Sequence, residues 1–107
     1  MTTAPDRPGE LSRMEEARRQ TQRQLDMINR QIIRRMTALI PQLSRKRSPY
    51  HHGKVDPRTF LERYRSNLAA ITAERQPEID ALSRKLARQD AAIDTVRAKV
   101  QPDATAR

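Results

Sequence analysis

Two long stretches in which apolar residues return every third or fourth position, separated by one short basic segment, constrain this chain more than any other feature. In the first stretch the series is Leu25, Ile28, Ile32, Met36, Leu39 and Leu43. That spacing puts the six side chains on one stripe of an α-helix, and Ile33 and Ile40 are expected to widen the stripe. The second stretch reads Leu61, Tyr64, Leu68, Ile71 and then, after an interruption at Arg75, Gln76 and Pro77, Ile79, Leu82, Leu86, Gln89, Ile93, Val96 and Val100. Two amphipathic helices joined by a short connection bury their stripes against each other by running antiparallel. The expected fold is all-α: a long antiparallel helical hairpin, coiled-coil-like, with disordered termini. With only 2 Gly residues and abundant Arg, Gln, Ala, Glu and Leu, helix is favoured over strand throughout.

Local signals set the expected limits. Residues 1–10 contain Pro5, Pro8 and Gly9 among small polar residues and are expected to form a disordered arm. Ser12 and Glu15 have the spacing of a capping box, so the first helix is expected over 12–43. Pro41 removes a backbone donor and disfavours helix at Ile40, which predicts a kink there or an end within about a turn. A basic loop follows over 44–56, with Pro49 and Gly53 as turn formers. At its end Asp56 can cap the second helix, Pro57 suits the first helical position, and Val55 with Phe60 has the spacing of a hydrophobic staple. The second helix is expected over 57–101, kinked near Pro77 because no glycine is present to turn the chain, with a loose tail over 102–107. Everything from 11 to 101 then forms a single helical-hairpin domain.

Charge is concentrated rather than merely high. The net charge of the 107 residues is +9, and from Met27 to Arg65 ten cations stand against Asp56 and Glu62, a local net of +8. From Ser66 to Arg107 seven cations meet six carboxylates. A potential confined to one region attracts phosphates or acidic protein surfaces. The candidate contacts to an anionic partner are Arg34, Arg35, Arg45, Lys46, Arg47, Lys54 and Arg58, with Arg63 and Arg65 flanking them and Tyr50 able to stack on an unpaired base.

The second stretch is the longer one, and opposite its distal half the first helix offers mostly polar residues, Met14, Arg18 and Thr21 among them. The seam Ile79, Leu82, Leu86, Ile93, Val96 and Val100 is therefore the candidate surface for a second copy or for another protein's helix, giving a homo- or hetero-oligomer. Gln89, the polar member of that seam, is a candidate for fixing helix register.

Other chemistries find little support. With no cysteine, disulfides, thiolate metal sites and Cys nucleophiles are excluded. His51 and His52 are adjacent but lack a third ligand at suitable spacing, so no metal ligand, cofactor or catalytic residue is assigned. No apolar run reaches the roughly 20 residues that span a bilayer, and Met1–Glu10 lacks a signal-peptide plan, so a cytoplasmic location is expected.

The stretch from Leu25 to Ile33, with Val55, Asp56, Pro57 and Arg58 after the loop, resembles the all-helical chorismate mutases over about a third of the chain. In that alignment Leu39 falls where the family's active-site arginine would stand, and Tyr50 where a lysine would. The charges that would hold two carboxylates are missing, so the chain is read as non-enzymatic. In architecture it also resembles the stalk and chaperone proteins of flagellar and type III export. The function expected is that of a helical interaction or assembly protein, an adaptor, chaperone or structural subunit of a larger complex, with a basic tip. Non-specific binding to a nucleic-acid backbone is the alternative, and a mutase-like enzyme the second alternative.

Overall fold

The computed structural model describes residues 7–45 and 53–100, and the fold is an all-α helical hairpin. Helix α1 spans Arg7–Leu43 and helix α2 spans Pro57–Val100. The start of α1 corrects the expected arm over 1–10, since residues 7–10 are already helical. Pro8 lies in the first turn, where a missing N–H removes no helical hydrogen bond, and Glu10 places a negative charge near the positive end of the helix dipole. Ser12 is consequently an exposed residue inside α1 and caps nothing. The expected tail over 102–107 lies outside the described residues.

The other ends follow the sequence closely. Pro41 sits in the last turn of α1, which stops at Leu43. The amide of Ser44 still donates to Ile40 O at 3.0 Å, and its hydroxyl donates to the same oxygen at 2.9 Å. At the start of α2, Asp56 accepts from the Thr59 amide at 2.8 Å and from the Thr59 hydroxyl at 3.0 Å, the bonds of an N-cap. Pro57 then opens the helix, and Val55 and Phe60 are both half-buried on either side of the cap. Helix α2 runs through Pro77 as one element. No helix among the described residues is long and apolar enough to cross a membrane.

Contacts divide the chain into two compact units, one made of Asp26–Ile79 and the other of the chain up to Leu25 with Asp80 onward. In the Asp26–Ile79 unit the core is Ile28, Ile32, Met36 and Leu43 of α1 with Ile71 of α2, all buried. Phe60 and Tyr64 add a tilted ring contact, centroids 6.1 Å apart. Two members of the expected stripe do not join this core: Ile33 and Ile40 are 55% and 39% exposed. At 3.6 residues per turn they stand well off the line of Ile32, Met36 and Leu43, and a single facing helix covers only a narrow strip. The interruption read between Ile71 and Ile79 is occupied by Arg75, whose stem takes the missing seam position. Its guanidinium donates to Gln31 Oε1 at 2.7 Å and to both carboxylate oxygens of Glu78.

The unit containing both chain ends has a smaller core of Thr21, Ile93 and Val96. Thr21 is buried because its hydroxyl donates to Ala17 O at 3.2 Å, one turn earlier, leaving its methyl to pack. Here the partner-seam expectation is corrected in part. Ile93 and Val96 are 3% and 6% exposed and offer nothing to a second chain. The residues read as a polar facing surface explain this: Thr21 is buried, Met14 is half-buried, and the stem of Arg18 adds cover as its head pairs with Asp90, while the earlier start of α1 adds the half-buried Leu11. Ile79, Leu82, Leu86 and Val100 are half-buried.

Candidate functional site

Of the cations nominated from sequence, Arg45, Lys54 and Arg58 lie at the junction between the two helices, and Arg34 and Arg35 lie further back along α1. Arg45 and Lys54 form an isolated antiparallel bridge, and the Val55 amide donates to Ser44 O at 2.9 Å, so the two ends of the intervening segment are tied together. Gly53 adopts φ +137°, a backbone conformation that side chains with a Cβ rarely take, which accounts for glycine at this corner. From α2, Arg63 reaches back and donates through Nη1 to Leu43 O at 3.2 Å and to Arg45 O at 2.7 Å. A guanidinium on the last carbonyls of α1 satisfies orphan acceptors and complements the negative end of the helix dipole. Arg63 thus holds the junction shut, and its donors point at the protein's own backbone.

The remaining cations divide into committed and uncommitted groups. Arg35 pairs with Glu74 across the helices at 2.7 Å, and Arg58 pairs with Glu62 one turn along α2 at 3.5 Å, both at the surface. Arg34, Arg45 and Lys54 are exposed and have no ion pair among the described residues, as do Arg30 and Arg65 nearby. Lys46, Arg47, Tyr50, His51 and His52 lie outside the described residues. Sequence reasoning counted Arg35, Arg58 and Arg63 with the open cations. The spacing of Arg58 and Glu62 was the available signal for one of these pairings, whereas the other two depend on the packing of α2 against α1.

The cap carboxylate is electrostatically distinct. Asp56 is held below its ordinary carboxyl range, chiefly by the Thr59 amide and then by the Thr59 hydroxyl, so it is ionised at neutral pH.

The unit containing both chain ends carries a second charged feature, a cleft of about 410 Å³ lined by Glu15, Arg18, Arg19, Asp90, Ile93, Asp94 and Arg97. Its charges answer one another: Arg18 pairs with Asp90, and Arg97 with Glu15 at 3.5 Å. Glu16 beside it pairs with both Arg19 and Arg23, and the hydrogen bond from Arg19, followed by that from Arg23, lowers its carboxyl below the ordinary value. Three cations and three carboxylates line this cleft, so it has no excess charge with which to select an ion. Arg13, Arg84, Lys85, Arg88 and Lys99 of this unit are exposed without an ion pair among the described residues, but the larger net positive charge belongs to the Asp26–Ile79 unit.

Compared with known protein families, with curated proteins and with solved structures, the chain matches none.

Proposed function

We propose that the protein is a non-catalytic helical interaction protein of the cytoplasm, an adaptor, chaperone or structural subunit of a larger complex, that contacts an anionic partner through the basic junction of its helices and works as an oligomer or hetero-oligomer. One observation carries the reading. Between Asp26 and Asp56 the chain contains seven cations, Arg30, Arg34, Arg35, Arg45, Lys46, Arg47 and Lys54, and no carboxylate. Among the described members only Arg35 is paired within the chain. A surface of this kind sets up a positive field that its own fold does not cancel, and such a field steers an oppositely charged partner.

A phosphate backbone would satisfy the same field, so nucleic acid is the second reading. Titration of the full chain with single-stranded DNA, duplex DNA, RNA and unstructured polyglutamate, each at low and at high salt, separates the two. Salt-sensitive binding to polyglutamate at least equal to that for the nucleic acids supports a protein partner. Binding confined to nucleic acid replaces that reading with the second, and salt-insensitive or absent binding to all four removes both.

A further inference from the structure

The Asp26–Ile79 unit has two unlike sides. The polar links of Arg35 with Glu74, Arg75 with Gln31 and Arg63 with the Leu43 and Arg45 carbonyls lie on one of them. Helical phase, about 100° per residue, turns Ile33 and Ile40 of α1 and Leu61 and Thr72 of α2 towards the other. On this second side Ile33, Ile40 and Leu61 are 55%, 39% and 43% exposed. Alongside them α2 forms a shallow groove of about 430 Å³ lined by Arg65, Leu68, Ala69, Thr72, Ala73 and Gln76. The floor is mostly aliphatic, and Ala69 and Ala73, one turn apart, let another backbone come close. Exposed aliphatic side chains gathered on one face rather than scattered mark a place of association.

The charges around the face select its occupant. Arg65 stands within the groove lining, Arg30 and Arg34 lie on the solvent side of α1, and none of the three has an ion pair among the described residues. A second copy would bring one stretch of net charge +8 against another. A lipid surface is ordinarily met by aromatic anchors, yet Phe60 and Tyr64 are half-buried and in contact with each other.

We propose that this face docks an acidic amphipathic helix from a partner protein, with aliphatic side chains at helical spacing set into the Leu68–Ala73 groove and against Ile33, Ile40 and Leu61, and with carboxylates on its flanks meeting Arg65 and Arg30. The proposal rests on the reading of the chain as an interaction protein with an anionic partner, and it names that partner's chemistry and a contact surface beyond the basic junction.

The test uses the full chain and a fluorescein-labelled three-heptad peptide with Leu at the a and d positions and Glu elsewhere, alongside the same peptide with Lys in place of Glu. Anisotropy is expected to show the acidic peptide binding at least about tenfold tighter than the basic one. Ala69→Gln combined with Ala73→Gln fills the groove with polar groups and leaves the charge unchanged. It is expected to weaken the acidic peptide by about tenfold or more, at unchanged helicity by circular dichroism, and to leave polyglutamate binding as before. Equal affinity for the two peptides, or no effect of the double variant, with polyglutamate still bound, overturns the docking face and leaves the basic junction standing. Loss of polyglutamate binding as well overturns both. The docking proposal is also overturned if the chain alone sediments as a dimer, if it binds phosphatidylserine vesicles, or if an oligonucleotide binds, provided that this association is abolished by the double variant.

Discussion

Arg63 Nη1 donates to the main-chain oxygen of Arg45 at 2.7 Å, so a side chain two turns into α2 anchors the first residue of the basic bridge. The same nitrogen reaches Leu43 O. One arginine therefore caps α1, orients Arg45 and removes itself from the set of cations open to a partner. Replacement by alanine leaves two carbonyls without their charged donor and is expected to destabilise the fold by about 1–2 kcal/mol in urea unfolding followed by circular dichroism. The affinity for a polyanion is expected to fall less than it does for Arg45→Ala. A larger loss of affinity than of stability would return Arg63 to the contact surface.

The cap at Asp56 predicts the direction of a pH effect. Its folded-state carboxyl titrates below its unfolded value, so the cap's contribution is complete above the unfolded pKa, roughly 3.9, and is lost as pH falls through the lower folded value. Asp56→Ala should unfold more readily than the parent at neutral pH, and the difference should shrink as the pH drops from about 4 towards the folded value. Unfolding midpoints measured across that interval check this, and a difference that does not depend on pH would show that the carboxylate is not what caps α2.

Gln89 was legible as the polar member of an apolar seam, and its Oε1 is buried without a hydrogen-bond partner among the described residues. A buried acceptor that bonds to nothing opposes folding, so Gln89→Leu is expected to stabilise the protein by about 1 kcal/mol with an unchanged urea slope. If Gln89 instead fixes how helices pair, the leucine variant changes its size in sedimentation, and lost stability would show that the amide does find partners.

Helix identity, the positions of the joins and the Asp56 cap could all be read from sequence, because each depends on neighbours within a turn. Pro8 misled, since among Pro5 and Gly9 it reads as a loop residue although proline suits a first helical turn equally well. Ile33 and Ile40 looked like core because periodicity gives a direction for each side chain but not the width of what faces it. Arg75 looked like a break because an arginine stem counts as polar in a pattern while packing as an aliphatic chain. Ile93 and Val96 looked open to a partner because Arg18 and Thr21 opposite them count as polar, although Thr21 is buried with its hydroxyl bonded within its own helix and the Arg18 stem packs as an aliphatic chain. The local excess of positive charge was plain in the sequence. Which cations are already answered was not, since the pairing of Arg35 with Glu74 and the use of Arg63 both arise from the far helix.

The central claim is that a partner is held by the cations at the helix junction and not by net charge at large. It is tested most directly by comparing two triple charge reversals of equal size, Arg45→Glu, Lys46→Glu, Arg47→Glu at the junction and Arg84→Glu, Lys85→Glu, Arg88→Glu in the exposed part of α2. Binding of fluorescein-labelled polyglutamate is measured as a function of salt. The junction variant is expected to lose at least about tenfold in affinity and most of the salt dependence, while the distal variant stays close to the parent. Equal losses in both variants would contradict the account.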